Sequence, residues 1–294
     1  MCTTMADIWT KATLQDILDK GTMDINPRPH WEDGTPAHTL SINHVVHQYD
    51  LAAQYSPFLT LRPTAYKSGI GEILWIYRDA SNNLDMLKDK YGITWWDEWD
   101  IGDRTIGACY GETVRRYNLL ENLFRGIISD EDGRRHIMNM WQEQDFKEPH
   151  GLKPCCYQTV WNIRHVEGKK LVDVSLFQRS SDFTVSGNIN TLQYIALMYM
   201  VIAHLNYLSL KEVFFPGVFT HFYNNCQIYD RHIEQAKELI SRDPYTYMSL
   251  DTLPHFEVEP QSIWNISVDD VKVVNYNKKE IAKKNPQLKF EVAI

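Results

Sequence analysis

Tyr157-Gln158-Thr159-Val160-Trp161-Asn162-Ile163-Arg164-His165 and Leu171-Val172-Asp173-Val174-Ser175-Leu176-Phe177-Gln178 are two runs rich in β-branched and aromatic residues, joined through Glu167-Gly168. That pattern predicts a β-hairpin. Chemistry flanks it on both sides: Lys153-Pro154-Cys155-Cys156 leads in, and Arg179-Ser180-Ser181-Asp182 leads out. A cysteine leaving a proline turn supplies a nucleophile. An arginine can hold a phosphate while lowering the thiol pKa, and an acid with two hydroxyls forms a polar cradle. Taken alone, the stretch reads more readily as a buried cysteine pair beside a surface salt bridge.

Working outward, Ala6 to Lys20 has helical spacing of Ile8, Leu14, Ile17 and Leu18 and stops before Gly21, while His38 to Ile42 alternates like a half-buried strand. Ser68 to Arg78 places Ile70, Ile73, Leu74 and Ile76 on a broad helical face. Glu72 falls inside that apolar segment, so it belongs either to the helix's polar edge or to chemistry. Asn188 to Leu208 predicts a helix too uniformly apolar for the surface, and so a central one. Val213 to Phe222 reads as a strand, Tyr229 to Ser241 as an amphipathic helix stopping before Pro244, and Val271–Val274 and Leu288–Val292 as closing strands. Helices and strands mix without a βαβ rhythm. The expectation is an α+β fold over residues 1–294 as a single domain, since no Pro/Gly/Ser-rich linker, repeat or low-complexity tract divides the chain.

The chain has 294 residues, 44% apolar and 23% charged, with a formal net charge of −8. That charge argues against non-specific nucleic-acid binding, though a few local arginines suffice for one phosphate. Positive charge clusters at Arg134-Arg135, with Arg28 and Arg179 elsewhere. The five cysteines are Cys2, Cys109, Cys155, Cys156 and Cys226. An odd number without a secretory signal predicts reduced thiols and a cytoplasmic protein. No ligand spacing suggests a metal, and no apolar run is long enough for a bilayer, so no membrane partner is expected.

At this point a set of blocks, in order along nearly the whole chain, resembles the thymidylate synthase family of folate-dependent enzymes. They are Asp33-Gly34-Thr35-Pro36-Ala37-His38-Thr39-Leu40-Ser41, Gly71-Glu72-Ile73-Leu74-Trp75, Trp96-Asp97-Glu98-Trp99 and Ile106-Gly107-Ala108-Cys109-Tyr110-Gly111. Gly133-Arg134-Arg135-His136, Pro154-Cys155, Gln178-Arg179-Ser180-Ser181-Asp182, Asn190 and the terminal Val292-Ala293-Ile294 follow. The resemblance implies a mixed sheet packed on helices, with a sheet face forming a homodimer interface. It also implies transfer of a one-carbon unit from 5,10-methylenetetrahydrofolate to C5 of dUMP, giving dTMP and dihydrofolate without a metal.

C5 of uracil is a poor nucleophile, and adding a thiolate at C6 turns C5 into an enolate carbon. The family pattern makes Cys155 that thiolate. Cys156, often a histidine in the family, is the alternative, but strand alternation turns it to the opposite face. By the same resemblance Arg179 contacts phosphate and thiol, its charge favouring thiolate. Arg28, Ser180 and Gln178 belong to the substrate site. Arg134 and Arg135 reach the neighbouring subunit's phosphate, which makes the homodimer obligatory. Asn190 resembles the amide that donates to O4 and accepts from N3–H of uracil. Glu72, Trp96 and Asp182 resemble residues of the pterin pocket and proton network. Tyr110 resembles the tyrosine near C5, and Ile294 the residue whose carboxylate locks the lid over folate.

Two segments depart from the family pattern. The pair that holds the sugar 3′-hydroxyl is His221/Tyr223 if counted forward from Val213. Counted back from the following helix it is Gln227/Tyr229, preceded by an insertion of about six residues on the helix-start alignment. The second is preferred, because Tyr229 leads into Asp230-Arg231-His232. Ser186-Gly187-Asn188-Ile189 also departs from the family's Leu-Gly-x-Pro-Phe. These changes leave open a dUMP or dCMP 5-hydroxymethylase, in which water replaces hydride. A third reading, of another class, is an inactive member that binds nucleotide or RNA; retention of Cys155, Glu72, Tyr110 and Asn190 together speaks against it.

Overall fold

The computed structural model describes residues 1–210 and 213–293. Its first helix, α1 (Met5–Lys20), starts where Thr4 Oγ1 accepts the Asp7 N–H at 3.2 Å. A seven-stranded mixed sheet follows, built from β1 (Thr22–Met23), β2 (Thr39–Asp50), β3 (His136–Asn139), β4 (Cys156–Val166), β5 (Lys169–Gln178), β6 (Ser181–Asp182) and β7 (Phe214–Tyr229). The spatial order is β1-β2-β7-β5-β4-β3, with β6 continuing the β5 line along β7. Pairing is antiparallel except where β5 and β6 meet β7. The expected hairpin is β4–β5, and its turn residues Glu167 (φ 50°) and Gly168 (φ 80°) supply the two left-handed positions a tight turn needs.

The strand read at His38–Ile42 extends to Asp50, and the one read at Val213–Phe222 extends to Tyr229. No loop is inserted before Tyr229; the strand simply runs on. The two are partners, and both pass through one irregularity. His44, at φ 62°, and Asn224 opposite it fall between the paired positions Asn43↔Asn225 and Val45↔Tyr223. There the buried side of β7 changes from Phe219, His221 and Tyr223 to Cys226 and Ile228. Gln227 and Tyr229 therefore face the other way from His221 and Tyr223.

Helices α2 (Tyr66–Ile73), α3 (Leu84–Tyr91), α4 (Gly111–Arg116), α5 (Leu119–Ser129), α6 (Gly187–Ser209), α7 (Ile233–Ser241) and α8 (Lys278–Lys284) pack around the sheet. A two-stranded ribbon, β8 (His255–Glu257) with β9 (Lys272–Val274), lies apart. The apolar α6 is central as expected, with Leu192, Ile195, Leu197, Met198 and Val201 all buried. α2 packs against it at Gly69, where a Cβ would stand 2.8 Å from Ile189 Cδ1. The helix expected over Ser68–Arg78 is α2 followed by a wider π-type turn, Leu74–Arg78. Tyr229–Ser241 resolves into a short 3-10 turn at Asp230–His232 and then α7. The strand expected at Leu288–Val292 does not form. His232 Nε2–H donates to Glu291 O (3.1 Å) and Gln235 Nε2–H to Lys289 O (3.3 Å), so side chains rather than a ladder hold this segment.

Candidate active site

Cys155 lies just before β4, at the end of the Pro154 turn, partly exposed. Arg179 clamps that turn from behind, with Nε–H to Pro154 O at 3.0 Å, Nη2–H to Lys153 O at 2.8 Å and its backbone N–H to Cys155 O at 2.9 Å. The Cys155 N–H donates to Tyr110 Oη at 3.1 Å. Burial pushes the Cys155 thiol above its ordinary range, and the Arg179 charge, the Tyr110 hydroxyl and the Arg28 charge pull against it. Burial wins, so without ligand the group is a thiol; the expected thiolate preference is only the opposing tendency here. All five cysteines carry free thiols.

Cys156 points the other way, into the core, where burial holds its thiol far above the ordinary value. A bulge between Cys156 and Gln158 resets the alternation, so that Cys156 and Thr159 both face inward.

Tyr110 caps α4 with φ 50° and ψ −112°, a conformation an L-residue adopts only when its surroundings impose it. Its ring meets Trp96 edge-to-face at 4.9 Å, and Trp96 meets Trp99 at 5.3 Å. Glu72 is buried beneath this cluster, so the polar-edge alternative is excluded. Trp95 Nε1–H donates to Glu72 Oε2 at 2.8 Å. Burial raises the Glu72 carboxyl to about 7, against the opposing pull of Trp96, Trp95 and Gln193. The buried Trp96 Nε1–H lies close enough to Glu72 to favour its charged form but makes no well-formed hydrogen bond.

β6 places Ser181 and Asp182 beside Cys226 and Gln227. The partly buried Asp182 carboxylate accepts from Thr184 Oγ1 at 2.8 Å and from the Val185 N–H at 3.4 Å. Burial raises its pKa, while His232 and Arg62 oppose. Ser180 Oγ lies 3.5 Å from Gln227 Oε1. Tyr229, pushed up to about 12 by burial, feels the charges of Arg28 and of a Cys155 thiolate. Gln227 and Tyr229 thus stand on the Cys155 side of the sheet. His221 and Tyr223 are sealed inside, on Gln178, Thr191 and Gly187. Asn190, in the first turn of α6, completes the group through Gln178 at 3.2 Å.

Arg134 and Arg135 are not brought to this cluster. They precede β3, where His136 pairs with Trp161, and Arg135 contacts Asp130 at 3.0 Å. From Trp161 back along β4 to Cys155 is roughly 20 Å at the usual rise per strand residue. Ile294 lies outside the described residues.

Sequence reading missed Arg62, Trp95, Gln193 and His232. Arg62 donates to Thr184 O (2.7 Å) and Val185 O (3.0 Å) and sits over the Phe290 ring. An arginine directly after the largely apolar run Phe58–Leu61 was its one available signal. The Ser186–Ile189 departure leaves no gap either: Ser186 N–H and Oγ–H both donate to Asp182 O, and Asn188 Nδ2–H to Pro57 O.

A family model described as thymidylate synthase matches residues 10–294. The chain belongs to the thymidylate synthase family. A thymidylate synthase of Lactococcus lactis is 38% identical over 99% of this chain and 100% of its own length, and one of Streptococcus sanguinis is 36% identical over 99% and 100%. The solved thermostable thymidylate synthase A of Bacillus subtilis superposes with a TM-score of 0.84 at 27% identity, covering 98% of this chain and 99% of that one. These relatives are named as thymidylate synthases, so the hydroxymethylase reading is not favoured. Among the described residues no helix is long and apolar enough to cross a membrane.

Proposed function

We propose that the protein converts dUMP to dTMP with 5,10-methylenetetrahydrofolate as one-carbon donor and reductant. The observation that carries this is the convergence of Cys155, Tyr110, Arg179, Asn190 and the buried Glu72 at one end of the β4–β5 pair. Cys155 Sγ adds to C6 after losing its proton, and C5 then bonds the transferred carbon. A dianionic phosphate brought to Arg28, Arg179 and Ser180 orients the nucleotide. Tyr110, held by the Cys155 N–H, orders the water that takes the C5 proton, and the thiolate leaves C6 when the double bond re-forms.

Glu72, Trp96 and Asp182 are suited to a reduced pterin: a buried and a partly buried carboxyl, both raised by desolvation, and an indole N–H without a well-formed hydrogen bond match its donors and acceptors. The folate supplies the one-carbon unit and the hydride. Glu72, raised to about 7, can hold or release a proton at neutral pH. Gln227 and Tyr229 serve the sugar hydroxyl.

The sheet's outer face supports the homodimer reading. Phe177 and Phe222 stack there at 4.9 Å and 7°, with exposed Val46 and Ile137 on the same sheet. A second copy buries that face, and its Arg134 and Arg135 supply the phosphate contacts that their position rules out within one chain.

Mass analysis of the product tests the activity. Methyl-dUMP with one dihydrofolate per turnover is expected; hydroxymethyl-dUMP without dihydrofolate would overturn it. A heat-stable adduct of 5-fluoro-dUMP and folate on the Cys155 peptide is the accompanying expectation.

A further inference from the structure

The orientation of a carboxamide cannot be read from its shape, but here its neighbours dictate it. Ser180 O only accepts, so Gln178 must turn Nε2 toward it, at 2.9 Å. The second Nε2–H goes to Asn190 Oδ1 at 3.2 Å. Gln178 Oε1 then faces His221 Nε2 at 2.8 Å, and that ring nitrogen must carry the proton. His221 Nδ1 is left to accept from Thr191 Oγ1 at 3.0 Å, while the Tyr223 hydroxyl donates to Gly187 O at 3.1 Å. At the other end Asn190 Nδ2–H donates to Gln193 Oε1 at 3.0 Å. Gln178, Thr191, Gln193, His221 and Tyr223 are all buried, so water offers none of them an alternative partner. Burial also keeps the His221 ring neutral.

Asn190 therefore has one Nδ2–H and one Oδ1 lone pair to spare, and their relative positions are set from behind. Uracil presents an acceptor at O4 and a donor at N3, whereas cytosine presents a donor at N4 and an acceptor at N3. A carboxamide turned over about its last torsion would read cytosine as well as it now reads uracil. We infer that His221, acting together with Ser180 O through Gln178, locks the Asn190 carboxamide in the uracil-reading orientation and so sets the choice of dUMP over dCMP. This rests on the function proposed above and makes His221 a positioning residue rather than a ligand of the sugar.

The test compares the full-length protein with His221→Phe, which removes the ring donor, and His221→Gln, whose Nε2–H reaches the same acceptor. The readout is the ratio of kcat/KM on dUMP to that on dCMP, with tritium release from C5-labelled nucleotides. The unmutated protein is expected to use dUMP and reject dCMP. His221→Phe should narrow that ratio by roughly tenfold to a hundredfold, and His221→Gln should keep it. A parental ratio in His221→Phe overturns the inference; failure of the unmutated protein on dUMP overturns the proposed function instead. Should His221→Phe not fold, 15N NMR of the unmutated protein decides. A neutral His221 ring protonated on Nε2 is expected, and a proton on Nδ1, or a charged ring at neutral pH, overturns the lock.

Discussion

Cys155 and Cys156 share a peptide bond and almost nothing else. Cys155 sits at a partly exposed turn with Arg179, Arg28 and Tyr110 opposing the effect of burial on its thiol. Cys156 lies in the core, where the nearby Cys155 and Glu72 reinforce burial and Arg179 alone opposes it. One residue of strand alternation separates a thiol that can be activated from one that cannot. Reactivity here follows from which face a side chain takes, not from the local run of residue types.

The sharpest way to break that contrast is to exchange the sulfurs for oxygen one at a time. Cys155→Ser should lose turnover by roughly a thousandfold or more, as expected for a covalent nucleophile, while still binding dUMP in calorimetry. An active Cys155→Ser beside a dead Cys156→Ser would move the nucleophile by one residue.

Glu72 sharpens it from the core side. Glu72→Gln should slow turnover by about a hundredfold or more if the carboxyl moves protons. Its effect on stability runs the opposite way. The folded carboxyl titrates at about 7, above its unfolded value, so the native state binds the extra proton between the two. The native state therefore loses stability as pH rises through that window, by roughly 3 kcal/mol once both states are ionised. Thermal melts should show Glu72→Gln gaining on the parent at pH 8 and gaining nothing at pH 4. Equal gains at both values would remove the titration from the account.

Subunit mixing asks whether the Cys155 pocket is complete in one chain. Inactive Arg135→Ala and Cys155→Ser proteins should regain activity as verified heterodimers, and silence there would count against a shared phosphate site. The smallest effect belongs to Cys156→Ser. Turnover should stay within roughly tenfold, with a stability loss of about 1–3 kcal/mol from burying a hydroxyl. Brief alkylation of the native protein should modify Cys155 and spare Cys156.

The β4–β5 hairpin was legible because its alternation is regular and Glu167-Gly168 marks the turn. β7 was legible only to Phe222: Asn224-Asn225 reads as a break, and nothing local reveals that β2 carries a matching irregularity at His44. The Leu288–Val292 segment alternates like a strand, yet its carbonyls are taken by His232 and Gln235, which no pattern along the tail announces. Cys155, Glu72, Tyr110 and Asn190 were picked out by type and order. The roles of Arg62, Trp95 and His221 depend on which distant atoms packing sets against them, and residue spacing does not carry that.

The facing positions His44 and Asn224 bear on how this sheet can change by mutation. Each strand has one residue more there than a flat ladder would need, and neither surplus is tolerable without the other. Losing Asn224 alone would slip every pair beyond it by one, so that Gln227 would no longer meet both Ser41 of β2 and Asp182 of β6 in step. Losing both would shorten the two strands together and keep each remaining side chain on its present face. Length variation at this point is therefore expected only as a double event, with one codon gained or lost in each of two segments far apart in the gene.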